Sequence, residues 1–401
     1  MKKICLTVVG LYLGLLSAFS QTAPKDTTYK KRKLSVEEVN LVSSYYKQNG
    51  DHAAVTGGTG SQELSDIANT IDVKLVKRDS KNRKHTFDLE LGVDRFTSAS
   101  TDKIDPKTIS SASSSDIRVY PSVNWSSENE QKGKTIGAGI SLSNEYDYLS
   151  LGGNISYAKK TADKNGEFSI KATAYIDRVK LVLPEELRNT GITFEQDSDN
   201  NGYAPRNTYS TSLSWSQIIN QRLQVMFMLD LVYQKGYLGL PFYRVYFDDN
   251  SLHIENLPGS RFKIPVGFRA NYFLGDELVI RSYYRYYRDD WGLDAHTMNL
   301  ETSVKLTPFF SISPFYRFYI QQGAKYFAPY REHTAAEQYY SSNYDLSSFN
   351  SHFFGAGLRI TPPKGIFHIP QFNMIELRYG HYRRTDHLSA DIVSLNLRFR
   401  K

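Results

Sequence analysis

The chain ends Leu388-Ser389-Ala390-Asp391-Ile392-Val393-Ser394-Leu395-Asn396-Leu397-Arg398-Phe399-Arg400-Lys401. Val393, Leu395, Leu397 and Phe399 share one parity; Ser394, Asn396, Arg398 and Arg400 share the other. Side chains of a strand alternate between its faces, so this stretch is a strand with one apolar and one polar, charged face. A strand of that kind closing the chain, with an aromatic two residues from the carboxylate, is the habit of a membrane barrel. There the apolar face meets lipid, the polar face meets the lumen, and the last strand closes on the first.

The composition supports that reading. The chain is hydrophilic, with a mean hydropathy of −0.46, yet carries 29 Tyr and 22 Phe. A barrel needs both, because half of each strand faces water and aromatic girdles sit at the two interfaces. No window after the first residues is apolar enough for a transmembrane helix. Residues 1–20 read as a secretory signal peptide: Lys2 and Lys3, then an apolar core from Ile4 to Leu16, then Ala18-Phe19-Ser20 before a cut at Gln21. Cys5 is the only cysteine and has no lipobox before it, so the mature chain is expected to lack disulfides, thiol chemistry and cysteine metal sites. Removing Lys2 and Lys3 lowers the formal charge from +7 to +5. Residues 21–38 read as a flexible periplasmic leader. Its run Lys30-Lys31-Arg32-Lys33 is solvated charge rather than a nucleic-acid surface, since only Tyr29 interleaves it. The barrel is expected over residues 39–401.

Working back from the last strand, alternating segments recur at Phe372–Tyr382, Phe354–Ile360, Phe310–Ile320, Met298–Leu306, Leu278–Arg288, Phe262–Tyr272, Leu223–Tyr233, Tyr209–Trp215, Phe168–Ile176, Leu149–Tyr157, Ile136–Leu142, Ile117–Trp125, Phe87–Val93 and Ile71–Lys77. They run from seven to eleven residues, near the length that crosses a bilayer at a tilt. Short turns (Ile218–Arg222, Leu274–Glu277, Thr307–Phe309) separate long loops (Arg178–Arg206, Lys235–Arg261, Gln322–Ser351), which predicts a periplasmic and an external end. If the last strand runs inward, so does Ile71–Lys77, and a chain starting in the periplasm then needs one earlier strand. The weakly patterned Val39–Tyr46 is that strand. The expected fold is an all-β, up-and-down antiparallel barrel of sixteen strands, with fourteen as the alternative, and Val39–Tyr46 should pair with the closing strand.

The stretches Tyr283-Tyr284-Arg285-Tyr286-Tyr287-Arg288-Asp289-Asp290-Trp291-Gly292-Leu293-Asp294-Ala295-His296-Thr297, Tyr316-Arg317-Phe318-Tyr319, Asp345–His352 and Ser110–Ser115 resemble a family of outer-membrane barrels known as domain of unknown function 3570. Trp-Gly-x-x-Ala-His-Thr is the most specific part. The resemblance implies the barrel and carries no catalytic residues with it.

Parity turns Arg269, Arg281, Tyr283, Arg285, Tyr287, Arg317, Arg359, Arg378, Arg398 and Arg400 inward, with Lys263, while the N-terminal strands turn Asp72, Asp88, Glu90 and Asp94 inward. Two readings stay open. An acidic wall facing a basic one makes a transverse field that orients polar solutes. Alternatively these charges pair and fill the lumen, with Glu301, Glu376 and Asp230 as the acids. Tyr326–Tyr330 and Tyr237–Tyr243 are aromatic loop segments able to fold over the pore, with loop packing on loop. Asp197-Ser198-Asp199-Asn200-Asn201-Gly202 matches the first half of a calcium loop, with Asp197, Asp199 and Asn201 as ligands, but Thr208 stands where the bidentate glutamate belongs. An Asx-rich turn is the competing reading, and no other cofactor is expected. Gly57-Gly58-Thr59-Gly60 lacks the lysine-serine end of a phosphate loop and reads as a turn. Asp289, Asp290 and His296 sit at a hairpin tip, where aspartate caps amides and Trp291 anchors the rim. No nucleophile or zinc-protease motif supports a hydrolase. The expected role is a channel or transport component for small polar solutes in the outer membrane; the alternative is a non-conducting scaffold. Expected partners are outer-membrane lipid and the barrel-assembly machinery through the last strand, with a periplasmic or lipoprotein partner left open and no nucleic acid.

Overall fold

The computed structural model describes residues 33–97, 115–187 and 202–401. The signal peptide, most of the leader, Ser110–Ser114 and the calcium half-motif Asp197, Asp199 and Asn201 lie outside them.

Among the described residues there are β1 (Ser35–Asn49), β2 (Leu64–Arg78), β3 (Lys84–Thr97), β4 (Ser115–Asn129), β5 (Lys134–Asn144), β6 (Tyr148–Lys160), β7 (Gly166–Lys180), β8 (Tyr203–Asn220) and β9 (Leu223–Gly236). Two short strands, β10 (Arg244–Tyr246) and β11 (Leu252–Ile254), follow. Then come β12 (Ser260–Leu274), β13 (Leu278–Asp289), β14 (Asp294–Thr307), β15 (Phe310–Gln322), β16 (Phe349–Ile360), β17 (Phe372–Arg384) and β18 (Ser389–Arg400). All except β10 and β11 close into one sixteen-stranded antiparallel barrel. β18 pairs with β1, with Val39 opposite Phe399 and Tyr45 opposite Val393, so the strand that closure demanded is the one that closes.

The outer surface is apolar all round: Ile67, Val123, Ile140, Ile155, Phe227, Met298, Tyr379 and Leu395 are exposed. Their register neighbours of opposite parity are polar and face the lumen. Apolar outside, polar inside and no free edge is the arrangement that spans a membrane with strands.

Three details depart from the sequence pattern. The strands are longer than expected, β8 by the most, because its polar start, Tyr203-Ala204-Pro205-Arg206-Asn207-Thr208, keeps pairing with β7 beyond the apolar stretch. Ladder hydrogen bonds need no apolar side chain. β1 likewise begins at Ser35, within what reads as leader. The connectors also alternate less strictly. At the long-loop end, residues 145–147, 290–293 and 385–388 are tight, while 361–371 at the opposite end is long.

That long turn has a structural task. Ile366 and Ile369 fold back over the outer face of the seam and cover Val39, Phe372 and Phe399. Phe372 and Phe399 stack with centroids 4.7 Å apart and planes 15° apart. The terminal aromatic, expected to face lipid, is 4% exposed. Backbone bonds from Arg400 N to Gln371 O (2.7 Å) and from Lys401 N to Glu37 O (3.2 Å) tie down the chain end.

Candidate functional site

The charged lining lies where parity places it, and the structure divides it into paired and unpaired groups. Arg281 donates to Glu301 Oε1 (3.0 Å) and Ser303 Oγ (2.6 Å). Arg378 bridges Glu301 (2.7 Å) and Glu376 (3.2 Å), and Arg359 completes the ladder on Glu376 (2.9 Å). Glu301 is on β14 and Arg378 on β17, so this link passes over β15 and β16. It can do so because Gly357 leaves the wall bare: a Cβ there would sit 3.1 Å from Arg378 Cγ. Arg398 donates to Asn373 (3.0 Å). Of the three acids expected to neutralise arginines, Glu301 and Glu376 do so. Asp230, opposite Ser212 on β8, has no ion pair among the described residues.

Arg269, Arg285 and Arg317 are different. Arg269 lies 5.8 Å from the Tyr283 ring and Arg317 5.7 Å from the Phe353 ring; both are exposed to the lumen. Arg285 keeps a buried Nε without a partner. None of the three meets a carboxylate among the described residues. A cavity of about 170 Å³ opens beside Arg317, lined also by Glu301, Phe353, Arg378 and Ser394 among others. Across the ring, Asp72 and Glu90 are direct register partners, and Asp88 is one pleat away. β2 and β3 stand eight strands from β12 and β13 in a ring of sixteen, so acid faces base. Asp94, in contrast, is satisfied by Arg118 and by the Tyr120 hydroxyl (2.9 Å).

The loop end carries a second layer. Arg244, on β10, is 5% exposed. It makes a fork on Glu186 (2.6 and 2.9 Å) and donates to Val55 O (2.7 Å). Val55 belongs to the β1–β2 loop, and β1 lies diametrically opposite β9 in the ring. The bond therefore joins loops from opposite walls across the mouth. Gly57 packs in the same place, where its φ of +84° and the Tyr246 ring, 2.7 Å from any added Cβ, leave room for glycine alone. The β15–β16 loop joins this layer through the pairings Phe247 with His333 and Asn256 with Tyr340. Leu257, Trp291, Leu293, Ala324 and Leu346 form its apolar core, with Tyr326 and Phe327 against it. The two aromatic segments thus pack loop on loop. Trp291 is part of that core rather than a rim anchor: Arg261 stacks on it at 4.2 Å, and its indole N–H donates to Ser260 O (3.0 Å).

The hairpin tip offers no acid–base pair. The Asp289 carboxylate is fully buried, bonded to Arg261, the Tyr287 hydroxyl (2.7 Å) and Leu293 N (3.1 Å). His296 accepts or donates to Tyr284 (2.8 Å) on the opposite, lipid-facing side. The Arg244–Glu186 fork, the Arg384–Asp345 pair (2.6 Å) and Glu255 are the groups sequence reasoning missed. Their partners are tens to hundreds of residues away, and no local pattern announces them.

Residues 95–387 match the model of the family described as protein of unknown function (DUF3570). The chain belongs to this family. No curated protein matches it. In shape it is similar to a BenF-like porin from Pseudomonas fluorescens Pf-5 (8% identity, TM-score 0.45, covering 92% of this chain and 99% of that one). It is also similar to OccD3 (OpdP) of Pseudomonas aeruginosa (9%, 0.43, 94% and 100%) and to a bacterial polysaccharide outer membrane secretin (11%, 0.44, 90% and 98%).

Glu255 should make the loop layer of this family member sensitive to pH. It is buried between Leu240 N (2.7 Å) and Ser341 Oγ (2.5 Å), and burial pushes its carboxyl up to about 7. A raised folded-state value means that the folded layer holds the proton more tightly than the unfolded chain. The stabilisation is then complete below the ordinary glutamate value and is lost as pH rises toward 7, by up to about 3 kcal/mol. Limited proteolysis of the loops should therefore be slower at pH 5 than at pH 8, and Glu255→Gln should flatten the difference. Equal rates in the native protein at both pH values would refute this.

Proposed function

We propose that this protein is an outer-membrane channel component that passes small polar solutes and prefers anions. Residues 1–20 act as its export signal, and the residues from 21 up to the start of β1 at Ser35 as a periplasmic leader. The observation that carries the reading is the set of lumen arginines without carboxylate partners, Arg269, Arg285 and Arg317, set against an acidic wall on β2 and β3. Arginines that merely fill a lumen are neutralised, as Arg281, Arg359 and Arg378 are. Unpaired ones, Arg317 among them beside the 170 Å³ cavity, leave positive potential where a carboxylate or phosphate can be met by a planar fork. The opposed walls orient a dipolar solute crossing between them.

The test is conductance in planar bilayers. Discrete openings with anion selectivity are expected, and Arg285→Glu with Arg317→Glu should invert or abolish that selectivity. These are better targets than Arg281, whose loss would disturb the ladder it shares with Glu301 and Arg378. Selectivity unchanged by the double substitution would remove the basis of the reading.

A second reading has its own observation. The loop layer crosses the mouth through Arg244 and Val55, which favours a non-conducting scaffold whose loops bind a partner. Silence of the protein in bilayers, both before and after the loop layer is loosened, would support that scaffold reading.

A further inference from the structure

Asp51 and His52 lie in the β1–β2 loop, and His387 in the tight connector between β17 and β18. Nearly the whole sequence separates them, yet the β1–β18 seam makes them neighbours. His52 Nε2 is 3.3 Å from Asp51 Oδ1, and His387 Nδ1 is 3.1 Å from Asp51 Oδ2. One ligating atom from each of the three residues lies within 4.8 Å of the others. For a tetrahedral cation with bonds of roughly 2.0–2.1 Å, ligand atoms stand about 3.3 Å apart. Each imidazole thus already stands near that spacing from the carboxylate, one from each oxygen of Asp51.

The preorganisation of His52 is an independent observation. Its Nδ1 lies 3.0 Å from Gly58 O, a bond that requires the proton on Nδ1 and leaves the Nε2 lone pair facing Asp51. A carbonyl fixing the distal nitrogen of a ligand histidine is the usual outer shell of a metal site. The same ring lies flat on Tyr344, with centroids 3.8 Å apart and planes 6° apart, so both its position and its tautomer are held. His387 itself takes a left-handed backbone conformation, φ +68°. Its side chain is 75% exposed and that of Asp51 55%, which leaves an open side for entry and for water ligands.

We propose that Asp51, His52 and His387 form a binding site for a borderline divalent transition-metal cation, zinc foremost. Two imidazoles and one carboxylate suit zinc, nickel or copper, and are a poor match for calcium or magnesium, which take oxygen ligands. A bound ion would tether the β1–β2 loop to the β17–β18 connector across the closing seam.

Untagged full-length protein in detergent is titrated with zinc chloride by calorimetry, with calcium chloride in parallel. Micromolar zinc binding near one ion per chain is expected, without calcium binding at the same concentrations. His387→Ala and His52→Ala should each weaken zinc by tenfold or more, and zinc should raise the thermal midpoint of the native protein but not of the double variant. Heat-modifiable gel mobility checks that the variants keep the barrel. No zinc heat from the native protein, or undiminished binding in the folded double variant, overturns the proposal.

Discussion

Arg244→Ala should release the loop layer and raise single-channel conductance several-fold. Arg244 is buried in the strap that crosses the mouth, and its guanidinium donates to both Glu186 oxygens and to Val55 O. Breaking a buried ion pair costs roughly 3–5 kcal/mol. The lower end applies here, because Glu186 is 37% exposed and can rehydrate. Arg244→Lys should fall between, since an ammonium cannot reproduce the fork on Glu186 while also reaching Val55 O. Two readouts separate the possible causes. Proteolysis within residues 237–259 reports loosening of the layer directly, and conductance reports what the layer blocks. Faster proteolysis with unchanged conductance would mean that the loops pack over the mouth without limiting the path. Unchanged proteolysis would mean that the strap is held by something other than Arg244.

How much of this was legible depends on which interactions are local. Period-two alternation is a property of adjacent residues, so the barrel, its count and the inward set follow from the sequence. So does the pairing of Glu301 and Glu376 with arginines, because parity fixes the face and register sets Arg281 opposite Glu301 and Arg359 opposite Glu376 on adjacent strands. Closure even recovered the first strand, whose own pattern is weak. Loop structure is another matter. The bond from Arg244 to Val55 O spans 189 residues, and no periodicity links Glu255 to Ser341. Trp291 has the composition of a membrane-interface anchor, and only its neighbours Leu257, Leu293 and Leu346 make it core. The three residues of the proposed metal site illustrate the same point. Histidines that are scattered along the chain become adjacent only because the barrel closes on itself.

Phe399→Ala should destabilise the barrel far more than its sequence context suggests. By parity Phe399 belongs to the lipid face, alongside Val393 and Leu395, which are 40% and 37% exposed. A truncated lipid-facing side chain costs little, because acyl chains are mobile and fill the space. Phe399 is instead enclosed by Val39, Phe372 and Ile366, groups fixed in the protein that close only partly over a lost ring. A buried Phe→Ala change of that kind costs roughly 3–5 kcal/mol, and Phe→Leu a fraction of it. Thermal or denaturant midpoints of heat-modifiable mobility should therefore shift strongly for Phe399→Ala, modestly for Phe399→Leu and hardly at all for Val393→Ala. Ile366→Ala should reproduce part of the Phe399 effect from the 361–371 turn, because it uncovers the same stack from outside. Coupling between these two variants, read as non-additive shifts in the double substitution, would place the turn and the last strand in one cooperative seam. If Phe399→Ala and Val393→Ala cost the same, lipid rather than the turn covers the terminal aromatic, and the seam is sealed by ladder hydrogen bonds alone.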